Sequence, residues 1–135
     1  MADRKRDGIN NQKRSVSVLV VPFVEADILV AGSTYATLPA RSLIVKLTVL
    51  ILTVSGTSSS TLDLHANGVE IGSEVAATVL GGIVEIPLST AAYLATGGDV
   101  KIDAGSTTPA DGALVGELIV EYIELDKTTG EYTDV

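Results

Sequence analysis

The segment Leu62–Ile71 reads Leu-Asp-Leu-His-Ala-Asn-Gly-Val-Glu-Ile, two alternating runs that meet at Asn67-Gly68. Asn-Gly tolerates the positive φ that both central residues of a type I′ turn require. The pattern predicts a hairpin in which Ala66 faces Val69, His65 faces Glu70 and Leu64 faces Ile71. Leu62, Leu64, Ala66, Val69 and Ile71 then share an apolar face, and Asp63, His65 and Glu70 the polar one. A slip of one residue would mix the two faces, so the apolar pattern specifies the register.

The same period of two recurs along the chain. Val16, Val18 and Val20 alternate with Ser17, Leu19 and Val21, and Pro22 ends the run or marks a bulge on an edge strand. Val24–Val30 resumes it. The longest candidate, Ser42–Val54, has odd positions Leu43, Val45, Leu47, Val49 and Ile51, all apolar. Its even positions pass from Lys46 and Thr48 to Leu50, Leu52 and Val54. Val, Ile and Thr crowd χ1 in a helix, so a strand is favoured. Ile83–Leu88, Asp99–Asp103 and Ala113–Leu125 follow, the last with Leu114, Leu118, Val120 and Tyr122 on one face. Ser89–Thr96 has room for one helical turn. About eight strands with frequent turn residues and no long helix predict an all-β chain. The fold expected is an antiparallel β-sandwich, jelly-roll-like, with an immunoglobulin-like sandwich as the alternative.

Charge divides the chain of 135 residues. Residues 1–14 carry Arg4, Lys5, Arg6, Lys13 and Arg14 against Asp3 and Asp7, a net +3. The rest carries four basic and fifteen acidic side chains, a net −11. The division expected is a basic arm over 1–14, a sandwich over 15–125 and a polar tail over 126–135. The arm has too little apolar surface to order itself, and its five basic residues are the candidate contacts to an acidic partner surface, a neighbouring copy for example. Nucleic acid is disfavoured, because the acidic body would be repelled by phosphates. A basic start before Val16–Val24 imitates a signal peptide. Asp3 and Asp7, the interruptions at Ser17 and Pro22, and the immediate Glu25 and Asp27 argue against cleavage. The apolar run Leu43–Val54 is too short for a membrane helix, which needs about 20 residues.

Side chains for chemistry are scarce. The chain has no Cys, no Trp and one His, which removes thiol catalysis, thiolate metal sites and His clusters. His65 reads as the cross-strand partner of Glu70. Asp99, Asp103 and Asp111 lack EF-hand spacing and read as solvated surface. Gly81-Gly82 and Gly97-Gly98 lack the strand–glycine–helix setting of a phosphate loop. Aromatics make up 4 % of the chain, too few for a sugar platform or for base stacking. No catalytic, cofactor or metal residue is assigned, and no enzymatic activity is expected. The apolar second face of Ser42–Val54 points to cover by another chain, with Leu50, Leu52 and Val54 as the oligomer interface.

In style, the Val-rich opening Ser15–Val21 resembles the small β-sandwich virion proteins of tailed bacteriophages, the capsid decoration or cement class. So do Leu38-Pro39-Ala40-Arg41 before a long aliphatic strand, the Leu62–Gly68 hairpin, and the ending Val120–Leu125 with Gly130-Glu131-Tyr132. The resemblance implies a non-enzymatic homotrimer, made in the host cytoplasm, that clamps major capsid subunits on the virion surface. Phage neck, tail and fibre components share this style. An exported β-sandwich that binds a ligand or polymer is the expectation from another class.

Overall fold

The structure is a computed structural model that describes residues 15–29, 36–85 and 92–125. The basic arm, with Arg4, Lys5, Arg6, Lys13 and Arg14, and the polar tail lie outside the described residues. The elements in chain order are β1 (Ser17–Val24), α1 (Glu25–Leu29), β2 (Ala36–Leu38), β3 (Ser42–Thr53), β4 (Thr61–Ala66), β5 (Val69–Ala76), β6 (Gly81–Glu85), β7 (Tyr93–Leu94), β8 (Gly98–Ala104) and β9 (Val115–Glu124).

The strands form two antiparallel sheets. Sheet A has the order β1-β9-β3-β6, with β7 also on β3, and sheet B the order β2-β8-β4-β5. Setting aside the two-residue β7, the first strand pairs with the last, the second with the second from last, and so inward. The pairs are β1–β9, β2–β8, β3–β6 and β4–β5. One long hairpin has been rolled up, and β3–β9 and β4–β8 close the roll within each sheet. That is the jelly roll, and it excludes the immunoglobulin-like order. Leu47, Val49 and Ile51 of β3, Leu118 and Val120 of β9, Leu62 and Leu64 of β4, and Val100 and Ile102 of β8 fill the space between the sheets at 1 % exposure or less. These branched aliphatic chains fill the core without a Trp.

The turn at Asn67-Gly68 has φ of 52° and 84°, positive at both residues as a type I′ turn needs. Ala66 pairs with Val69 and His65 with Glu70, but Leu64 faces Gly72 and not Ile71. The register shifts between Leu62 and His65, and Val69 stands half exposed instead of in the core. A second departure is in β3. The pairing with β9 shifts between Ile44 and Lys46, so Ile44 points inward on one side of the bulge and Leu47 on the other. The all-apolar odd row from Leu43 to Ile51 is therefore not one face. A third is Glu25–Leu29, which forms one helical turn where a resumed strand was expected. β1 itself runs through Pro22 to Val24 without a register shift.

Candidate functional site

The two sheets turn unlike surfaces outward. In sheet B the inward row of each strand is apolar, and the outward row carries Asp63 and His65 (β4), Glu70 and Glu74 (β5), and Asp99, Lys101 and Asp103 (β8). Several of these groups have specific partners. Thr37 Oγ1 donates to Asp99 Oδ1 at 3.0 Å. His65 Nδ1 lies 3.1 Å from Asp103 Oδ2, in ion-pair range but off the line of a hydrogen bond. His65 thus approaches Asp103 as well as standing opposite Glu70. Glu74, at a positive φ of 55°, accepts from Thr61 Oγ1 and from the Ser106 N–H, while its own N–H donates to Asp63 Oδ1. Hydrogen bonding from Ser106, then from Thr61, holds the Glu74 carboxyl below the ordinary carboxylate range.

Asp111 works apart from these. Its carboxylate accepts from the Gly56 N–H at 2.6 Å and from Ser55 Oγ, pinning the β3–β4 loop to the β8–β9 loop. Burial pushes its carboxyl up, but hydrogen bonds led by the Gly56 N–H outweigh this and hold it low. Asp99, Asp103 and Asp111 therefore serve three separate contacts. Among the described residues no three acids or imidazoles gather as a metal site. Glu25 is 5 % exposed, and its Oε2 accepts from the Gly112 N–H at 2.6 Å. Its backbone N–H donates to Leu114 O, so α1 is strapped to the entry of β9.

The outward side of sheet A is different. Val18, Val20 and Val24 of β1 and Leu52 of β3 are 44–53 % exposed. Leu50, Val115 and Ile119 are partly exposed on the same side. The paired Lys46 and Glu121, 3.1 Å apart, and Glu117 are the charges of this side on β3 and β9. Pro22, Val24, Leu52 and Val115, with Phe23, Gly116, Asp27 and Glu117, line an open groove of about 260 Å³. An apolar strip this wide on an otherwise acidic chain is the candidate interaction surface.

Of the residues expected at an interface, Leu50 and Leu52 lie on this side. Val54 does not share it, because the chain has left β3 by then and Val54 packs against the core. The sequence reading missed Val18, Val20 and Val24. The signal was there: β1, like β3, is apolar at both odd and even positions. No family model, curated protein or solved structure matches this chain.

Proposed function

We propose that this chain is a non-enzymatic structural protein of the phage capsid decoration (cement) class, working as a homo-oligomer on a shell of major capsid subunits. The observation that carries the reading is the contrast between the outward faces. Five carboxylates cover sheet B, whereas the outward side of sheet A is mainly aliphatic, with Lys46, Glu117 and Glu121 as its charges on β3 and β9. A jelly roll is used by shell proteins and by lectins alike, so the fold alone does not choose between them. The surface does. A flat aliphatic strip with few donors or acceptors suits the broad, dry contact of a protein neighbour. It offers little to orient a polar ligand or sugar.

Magnitudes support this. Burying a Val or Leu completely is worth about 1.5–3 kcal/mol, and these side chains are about half exposed, so each has roughly half of that to give. Four of them, with Leu50 and Ile119, supply several kcal/mol per copy, comparable to the low end of what association costs. The acidic bodies repel, so the apolar area must supply the affinity.

Light scattering on the full chain tests the reading. The wild type is expected to be an oligomer at micromolar concentration and to co-sediment with shells. Leu50→Asp and Leu52→Asp should weaken shell binding at least tenfold, since each places a charge in a dry contact. Unchanged shell binding by both variants would overturn the proposal.

A further inference from the structure

The far side of β1 is an open sheet edge: β9 is its one neighbour among the described strands. The phase of that edge can be read from two residues. Pro22 lies opposite Glu117 and has no N–H to give it. Val24, two residues on, donates its N–H to Asp27 Oδ2 at 3.0 Å and not to β9. Antiparallel neighbours alternate between pairs that exchange two hydrogen bonds and pairs that exchange none. β1 has no register shift, so Val18 and Val20 share the phase of Pro22 and Val24. Their N–H and C=O groups point to the open edge.

Edges are normally guarded by charges, prolines or bulges. Here the guards come late: Pro22 lacks the donor, and Asp27 has taken the Val24 N–H. From Ser15 to Val21 there is no charge, no proline and no bulge. We infer that a second copy of this chain adds its own β1 to this edge, antiparallel, about a two-fold axis normal to the sheet. With Leu19 opposite Leu19, Val18 of each copy meets Val20 of the other, and both pairs exchange their two hydrogen bonds. Each Val16 N–H then meets the carbonyl of Pro22 in the other copy, so the missing proline donor falls at the end of the ladder. Charge sets the direction. In sequence, Lys13 and Arg14 precede β1, and Glu25 and Asp27 follow it. Antiparallel pairing sets the basic sequence end of each strand against the acidic end of the other, and parallel pairing sets like ends together. At the acidic end Asp27 is the acid still partly exposed, because Glu25 is buried on the Gly112 N–H. The axis keeps both apolar outward sides on the same side of the joined sheet. The pairing stands on the edge alone; only this doubled apolar surface rests on the function proposed above.

The test uses the full chain in a dilution series, followed by light scattering and amide hydrogen exchange. An even-numbered oligomer is expected, with the Val18 and Val20 amides protected at high concentration and exchanging faster on dilution. Val20→Pro removes an outward donor and leaves the bonds to β9 in place, so it should weaken self-association by about tenfold or more, whereas Leu52→Asp should not. A trimeric mass would overturn the pairing. So would dissociation by Leu52→Asp but not Val20→Pro, which would leave the apolar side as the contact and the proposed function standing. Should Val20→Pro fail to fold, wild-type exchange decides. Val18 and Val20 amides that exchange at one rate at every concentration would sink the inference.

Discussion

Gly68 and Gly97 share nearly the same φ, 84° and 83°, in different surroundings. A Cβ added at Gly68 meets nothing within 4 Å, whereas one at Gly97 would stand 2.7 Å from the Leu38 carbonyl oxygen. Gly68→Ala should therefore show the backbone cost alone, about 1 kcal/mol, and Gly97→Ala that cost plus a clash, about 2–4 kcal/mol. Urea midpoints measure both, and equal losses would contradict the clash. Glu74 and Asp111 give a pH prediction. Both carboxyls sit below their ordinary values of 4.5 and 3.8 in the folded chain. A group depressed on folding adds stability that is complete above its unfolded pKa and is lost as pH falls through its folded pKa. Stability should then fall on acidification from the ordinary carboxylate range downward. The double variant Glu74→Gln, Asp111→Asn should start lower at neutral pH and fall less steeply. Parallel urea-midpoint curves for the two proteins would show that these carboxylates are not responsible.

Phe23 of β1 pairs with Gly116 of β9, and the ring lies over the glycine. A Cβ at Gly116 would stand 2.7 Å from Phe23 Cζ and 2.5 Å from the Leu50 carbonyl oxygen. Gly116→Ala should cost about 1–3 kcal/mol. Adding Phe23→Leu removes the ring from the clash, so the two losses should sum to more than the double variant loses, by about 0.5 kcal/mol or more. Strict additivity in denaturation would mean that the ring does not need the glycine. At this scale the sequence was legible where a local signal existed. Asn67-Gly68 announced its turn, and the apolar rows of β4, β8 and β9 announced their inward faces. The bulge at Val45 was not legible, because Leu43, Ile44, Val45 and Leu47 are all aliphatic and carry no mark of inside or outside. The shift beside Leu64 was hidden for the same reason: Val69 and Ile71 alternate correctly, yet Val69 ends outside. The pairings β1–β9 and β2–β8 join distant segments, and no local pattern encodes them. The aliphatic side of sheet A was half legible, through Leu50 and Leu52, because β3 was long enough to show two apolar faces. The shorter β1 hid its share behind Pro22.

As a whole the molecule is an acidic body with one mainly aliphatic strip and a basic segment in sequence before it. Association of such bodies depends on two electrostatic effects of opposite sign. Bodies at −11 repel, and salt relieves the repulsion. On the proposed reading, the five basic residues of 1–14 would attract a neighbour's acidic surface, the outward side of sheet B above all, and salt would weaken that attraction. Each exposed pair is worth only about 0.2–1 kcal/mol, but five of them can exceed the diffuse repulsion at low salt. The wild type should therefore associate more weakly as salt rises. Changing Arg4, Lys5, Arg6, Lys13 and Arg14 together to Ser removes five positive charges from a chain of net −8 and leaves repulsion unopposed. Its melting temperature should be nearly unchanged, because the sequence of residues 1–14 offers little apolar surface to a core. Its association should reverse sign in salt and strengthen as ionic strength rises, because screening beyond about 8 Å at physiological salt then acts on repulsion alone. Sedimentation across a salt series reads both slopes. The same slope in wild type and variant would mean that the basic residues take no part in assembly. A lowered melting temperature would mean that they belong to the folded domain, and the boundary at Ser15 would move toward the N-terminus.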